Sequence, residues 1–235
     1  MIHRVVAATT RRRYSRRSRR LYSNWVRPGS LAFDVGANTG ERTRVLLSLG
    51  ARVVAVEPQP GCVASLRRIR DERLTVETVA LGARKGIASI RPSTASTISS
   101  MSEGWIASVK ESGRFAEHEW GEPITVDVTT LDALLDRYGI PDFCKVDVEG
   151  YESQVVAGLS RPLPVLSFEF TPEWAADTEL VVEQLMGLSM ERFNLSIGES
   201  HELEWVDWRS GDALLRHLRE LPDDVAMFGD VYAAS

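Results

Sequence analysis

Four apolar runs in this chain end in or near a carboxylate, and each such acid is a candidate for ligand binding or proton transfer. They are Leu31-Ala-Phe-Asp34-Val, Arg52-Val-Val-Ala-Val-Glu57, Phe143-Cys-Lys-Val-Asp147-Val-Glu149 and Pro164-Val-Leu-Ser-Phe-Glu169-Phe. Asp34 precedes the turn Gly36-Ala37-Asn38-Thr39-Gly40. A dinucleotide site wants Gly-x-Gly-x-x-Gly, so that backbone can close on a pyrophosphate. Here Asn38 holds the middle position and adds a side chain where a diphosphate would come closest, so a ligand without phosphates fits better. Asp34 agrees, because a carboxylate suits an ammonium or sulfonium group and repels a phosphate. Glu57 lies 17 residues after Gly40, close to the spacing at which a second-strand acid accepts hydrogen bonds from a ribose diol. Pro58 then stops the strand.

These residues need a scaffold of strands that feed helices. Leu31 to Val35 reads as a strand, and Val45, Leu46, Leu47 and Leu49 give a helical face that stops at Gly50. Residues 59–70 read as a helix, 73–79 as a third strand, and Ala80-Leu81-Gly82 as a turn at the same sheet edge where a flat ring could lie. Residues 86–91 read as a short extra strand and 92–121 as the least regular part, rich in Ser, Thr and aromatics. A connection this long suits a substrate lid. Ile124 to Val128 is a strand, Thr130 caps a helix that ends at Tyr138-Gly139, and the Lys145 strand follows. Further strands are expected at 164–170, 193–197, 202–208 and 225–233, and helices at 174–187 and 211–220. The alternation predicts an open, mostly parallel α/β sheet with helices on both faces. Lys145, Asp147 and Glu149 alternate, which places them on one face if that strand stays extended, and such groups need partners, a ligand or solvent.

Phe33-Asp-Val-Gly-Ala-Asn-Thr-Gly40 and Val53-Val-Ala-Val-Glu-Pro58 resemble the first two motifs of class I S-adenosylmethionine-dependent methyltransferases. With Val79-Ala-Leu-Gly82, Thr130-Leu-Asp-Ala-Leu134 and Lys145-Val-Asp-Val-Glu-Gly-Tyr-Glu152, the resemblance sharpens to the FkbM family. It covers about residues 30–170, with Gly229-Asp-Val-Tyr232 matching a last strand that the family implies is antiparallel. The resemblance implies a Rossmann-like class I methyltransferase fold and methyl transfer from S-adenosylmethionine to a hydroxyl of a sugar, polyketide, lipid or other small metabolite. A glycoside or lipid-linked sugar would be such an acceptor. Asp34, Gly36, Ala37, Asn38, Thr39, Gly40, Glu57, Pro58, Ala80 and Leu81 are the expected cofactor contacts.

An aliphatic hydroxyl is a poor nucleophile, so a base or a cation should help to remove its proton. Asp147 and Glu169 are the candidates for base or substrate orientation, and His118, inside the irregular segment, is a further candidate base. A second arrangement places Asp147, Glu149 and Glu169 around a divalent cation such as magnesium. The residues leave the two arrangements open.

Composition bounds the rest. With 235 residues, 43% of them hydrophobic, the chain can bury one substantial core. Cys62 and Cys144 form no metal or disulfide framework and suit a reducing cytoplasm. No apolar run is long enough for a membrane span, and no signal-peptide pattern is present. Only three lysines occur beside many arginines, the usage of a GC-rich bacterial genome. Residues 1–27 form a basic arm, flexible or helical, with nine arginines and no acid; residues 28–235, the expected catalytic domain, keep 19 basic against 33 acidic residues, a net −14. The arm could engage nucleic acid, but the body repels phosphates, which disfavours RNA as the substrate. A nicotinamide oxidoreductase or a non-catalytic partner-binding protein would share the fold.

Overall fold

The computed structural model describes residues 15–222, 224 and 226–235. In chain order the elements are helix α1 (residues 15–22), β1 (Leu31–Val35), α2 (Glu41–Ser48), β2 (Arg52–Val56), α3 (Pro60–Leu66), β3 (Leu74–Glu77), β4 (Ala80–Leu81) and β5 (Gly86–Ile90). There follow α4 (Glu103–Ser112), β6 (Ile124–Thr129), α5 (Leu131–Tyr138), β7 (Phe143–Val146), α6 (Glu152–Val156) and β8 (Val165–Phe170). The chain closes with α7 (Ala175–Gly187), β9 (Arg192–Ile197), α8 (Gly211–Glu220) and β10 (Gly229–Ala234).

Seven strands form one sheet in the order β3-β2-β1-β7-β8-β10-β9. The pairs from β3 to β8 are parallel, and β10 runs antiparallel to both β8 and β9. This is the open, Rossmann-like sheet anticipated above. Strand order reverses between β1 and β7, the place where such sheets bind ligands beyond their carboxyl ends.

The register explains why polar residues interrupt the apolar strands. Side chains alternate between faces, so paired residues share a face. On one face Phe33, Cys144, Val146, Leu166, Phe168 and Val231 are fully buried among α5, α6 and α7. On the other, rows change character along the strand direction. Ala32 pairs with Phe143, then Asp34 with Lys145, Lys145 with Ser167 and Ser167 with Tyr232; one step further Glu169 pairs with Asp230 and Asp230 with Ser196. That face is apolar at the amino ends of the parallel strands and charged at their carboxyl ends.

Helix α1 covers the apolar part of this second face. Leu21, Tyr22 and Val26 are buried with Val45, Leu46, Phe143 and Tyr232. Trp25 stacks against both Phe143 (5.5 Å between centroids, 9° between planes) and Tyr232 (5.2 Å, 24°). The described part of the arm, helix α1 and the turn that follows it, is therefore packed into the core. The arginine run at 11–13 lies outside the described residues.

Three expectations need correction. Ala80-Leu81 is not a turn: it is strand β4, paired parallel with β6, which pairs antiparallel with β5 in a separate three-stranded sheet. Residues 202–208 do not form a strand; Glu204 N–H donates to the Leu195 carbonyl and Phe193 bridges Arg209, which ties this segment to β9 without continuous pairing. Segment 92–121 is more regular than its composition implied. Ser102 accepts a hydrogen bond from Trp105 N–H to start α4, and Gly113, left-handed at φ 79°, ends it. Its aromatics form a small core, with Trp105 and Val109 buried beside Phe115 and Trp120 and against Trp174 from beyond the segment. No helix among the described residues is long and apolar enough to cross a membrane.

Candidate active site

A cavity of about 660 Å³ lies at the carboxyl edge of β1, β2, β7 and β8 and is roofed by residues of the 92–121 segment. That volume suits a ligand of nucleoside size or larger. Its two ends are built differently.

At one end stands the glycine turn. Gly36 has φ 79°, and a Cβ there would lie 1.7 Å from the Asp147 carbonyl oxygen, so only glycine lets β1 and the end of β7 come so close. Asn38 is also left-handed, at φ 48°. Its N–H donates to Glu57 Oε2 (2.8 Å), while its Oδ1 accepts from Thr39 N–H (2.7 Å) and Ser96 Oγ (3.1 Å). The residue that excluded a dinucleotide motif thus pins the turn to β2 and to the roof. Glu57 Oε1 accepts from Gln59 N–H (2.8 Å). Burial pushes the Glu57 carboxyl up, against the pull of those backbone hydrogen bonds.

At the other end acids crowd together. Asp147 pairs with Arg42 (2.7 Å), a residue of the first turn of α2, and lies 3.7 Å from Lys145. Lys145 pairs with Asp230 on β10 (2.7 Å). Burial alone would raise Asp147, but Arg42 and Lys145 hold it below its ordinary range. Burial alone would discharge Lys145, but Asp147 and Asp230 keep its ammonium charged and its pKa raised. Glu169 moves the other way, pushed well up by burial and by the negative charge of Asp147. Glu149 is likewise pushed well up by burial and by Glu169 and Asp147.

Not every expected residue reaches the cavity. Gly36, Asn38, Glu57, Pro58, Ala80, Leu81, Asp147, Glu149 and Glu169 line it. Asp34, Ala37, Thr39 and Gly40 are not on its wall. Asp34 is buried behind the turn, where it accepts a hydrogen bond from Thr43 Oγ1 and burial raises its pKa, so it anchors α2 to β1 rather than facing a ligand. His118 is also off the wall; its Nδ1 meets Thr94 Oγ1 at 3.1 Å in the outer turn of the roof. β7 ends at Val146, so Glu149 does not reach the cluster by strand alternation; a left-handed backbone at φ 55° turns it in.

The site also holds residues that sequence reading missed. Arg42 gave a signal, an arginine two residues beyond Gly40 on the same turn. Asp230 gave another, an acid inside an apolar final strand. His201 gave none: it sits in the irregular link after β9, left-handed at φ 51°, with Nε2 3.3 Å from Ser18 Oγ of α1. Burial lowers its pKa to about 4, so its imidazole is neutral at the cavity wall. Trp105 and Phe115 add aromatic faces from the roof.

Residues 34–220 match the family described as the methyltransferase FkbM domain. The chain belongs to this family. Methyl transfer is therefore its reaction class. No curated protein matches the chain. Among solved structures, the precorrin-6y C5,15-methyltransferase of Geobacter metallireducens is similar at 12% identity and a TM-score of 0.45, over 96% of this chain and 88% of that one. An rRNA methylase of Streptococcus thermophilus is similar at 11% and 0.41, over 92% and 93%. A candidate methyltransferase of Streptococcus mutans in complex with SAH is similar at 9% and 0.42, over 92% and 95%.

Proposed function

We propose that this FkbM-family chain transfers a methyl group from S-adenosylmethionine to a hydroxyl of a small polyhydroxylated acceptor such as a glycoside or a lipid-linked sugar. The observation that carries the reading is a single cavity that joins a phosphate-averse glycine turn and Glu57 to a cluster of acids under an aromatic roof. The residues fit the cofactor: Glu57 is an acid on the cavity wall whose two oxygens each accept one backbone N–H and keep lone pairs for a ribose diol. Ala80, Leu81 and Val56 offer the apolar wall for a base, and Gly36 and Asn38 the turn beneath it. S-adenosylmethionine, when bound, supplies a methyl group already activated by its sulfonium.

The chain then has to orient an acceptor oxygen, exclude water and take one proton. Two acids whose pKa values are driven apart divide these tasks. Asp147, held charged by Arg42 and Lys145, orients the hydroxyl as a hydrogen-bond acceptor. Glu169, pushed up by burial and by Asp147, takes the proton, because a carboxylate of raised pKa is the stronger base. The 92–121 roof acts as the substrate lid, with the half-buried Phe115 as the aromatic face for a sugar ring and Trp105 packed behind it as the roof's core.

Calorimetric titration of the full chain with S-adenosylmethionine, S-adenosylhomocysteine and NAD tests the cofactor. Micromolar binding of the first two and none of NAD is expected; failure of both sulfur ligands overturns the reading in favour of a partner-binding role. Methyl transfer to a panel of glycosides then tests the acceptor, with RNA in the same assay as the competing class.

A further inference from the structure

The acidic end of the cavity holds more carboxylates than its cations can neutralise. Asp147 is paired with Arg42, and Asp230 with Lys145. Among the described residues no Arg, Lys or His nitrogen lies within ion-pair distance of Glu149 or Glu169. One oxygen from each of Asp147, Glu149 and Glu169 nevertheless lies within 4.8 Å of the other two. Oxygens on opposite sides of a hard cation are roughly 4.2 Å apart for Mg²⁺ and about 4.6–5.2 Å apart for Ca²⁺, from their usual bond lengths. The three oxygens are therefore already gathered to the span of one coordination sphere.

A second feature points to a ligand at this place independently of the acids. Thr171 is 8% exposed, lines the same cavity, and its Oγ1 has no hydrogen-bond partner among the described residues. The backbone remains extended at Thr171 (φ −134°, ψ 145°), so its side chain leaves the same strand face as Glu169, two residues earlier. A buried hydroxyl left without a partner costs about 1–3 kcal/mol, and an oxygen brought in by a ligand would remove that cost.

We propose that Asp147, Glu149 and Glu169 form a binding site for one hard divalent cation of the Mg²⁺, Mn²⁺ or Ca²⁺ type, with Thr171 Oγ1 bonded to one of its water or acceptor oxygens. Three carboxylates give the all-oxygen set such ions take, and the cavity leaves room for water and an acceptor oxygen in the remaining positions. Zinc and copper are disfavoured, because no His or Cys belongs to the cluster. The place of this cation in methyl transfer rests on the function proposed above; its binding does not, since all three carboxylates come from this chain.

The test uses the full chain without S-adenosylmethionine, so that failure of the metal site and failure of the cofactor reading are separate results. MnCl₂ is titrated and followed by electron paramagnetic resonance of free Mn²⁺ and by calorimetry, with MgCl₂ and CaCl₂ as competitors. One strong site per chain is expected, weakened at least tenfold by Glu169→Gln or Glu149→Gln, weakened less by Thr171→Val, and unmoved by Glu117→Gln on the outer turn. Thermal unfolding with and without metal supplies a second readout, with an upward shift in Tm in the parent that the Glu149→Gln/Glu169→Gln double variant lacks. No binding up to millimolar metal, or unchanged binding in a folded double variant, overturns the proposal and leaves protons as the neutralising charge.

Discussion

The two ends of the cavity meet the problem of buried polar groups in opposite ways. At the glycine turn, neighbouring backbone and Ser96 hold Glu57 and Asn38 in place through hydrogen bonds that leave Glu57 lone pairs for a ligand. At the acidic end, four carboxylates share Arg42 and Lys145, and two of them are pushed far from their ordinary range. The contrast separates binding from chemistry. A site that only holds a ligand can fix its polar groups on neighbouring backbone, whereas one that moves a proton needs groups whose protonation is poised by their neighbours.

Substitutions at each end should therefore have different signatures. Asp147→Asn should lower methyl transfer about 10²–10⁴-fold, the usual range for loss of a positioned acid or base, while S-adenosylmethionine affinity changes little. Equal losses in transfer and affinity would erase the distinction between the two ends. Lys145→Met should be felt in stability, because it leaves Asp230 and Asp147 buried without their ammonium; a loss of about 3–5 kcal/mol in urea unfolding is expected. A loss below about 1 kcal/mol would mean that protons already neutralise those acids.

Glu57→Gln should weaken S-adenosylmethionine roughly 10–100-fold, the worth of hydrogen bonds to a charged group, with turnover at saturating cofactor nearly unchanged. The smallest effect belongs to His201, whose folded-state pKa of about 4 lies below its ordinary 6.5. Its contribution to stability is complete above pH 6.5 and declines as the pH falls toward 4, because the unfolded chain then binds the proton first. His201→Asn, which tolerates the left-handed backbone, should flatten that decline by about 1–2 kcal/mol between pH 7.5 and 5. A parallel pH profile in parent and variant would remove His201 from the electrostatics of the acidic end.

The same contrast governs what could be read before the structure. The glycine-turn end is local: strand, turn and helix lie within Leu31 to Ser48, and glycine spacing with a strand-end acid announces them. The open, mostly parallel sheet also followed from alternating strands and helices, and its antiparallel last strand from the family resemblance, but the order of its seven strands did not. The acidic end is not local. It joins residues 42, 145, 147, 149, 169 and 230, and the pairing of Lys145 with Asp230 spans 85 positions. Alternation placed Lys145 and Asp147 correctly on one face, yet period-two reading extended the strand through Glu149, where the backbone instead turns left-handed. Asp34 shows a partner that motif spacing does not name. Its motif position suggested a ligand contact, and the structure shows its carboxylate accepting from Thr43 on α2, nine residues away. The small sheet of β4, β5 and β6 was invisible as a unit, because β4 read as a turn and nothing in β5 or β6 names its pairing partner.

The position of β10 has a consequence for how the protein is made. This strand, at residues 229–234, inserts between β8 and β9 and brings the partner of Lys145. During vectorial synthesis the first 228 residues can assemble most of the helices and five parallel strands, but β8 and β9 must wait with open edges and Lys145 without Asp230. The charged centre therefore cannot be completed until β10 has left the ribosome. Loss of β10 would leave the facing edges of β8 and β9 exposed and ready to pair with other chains.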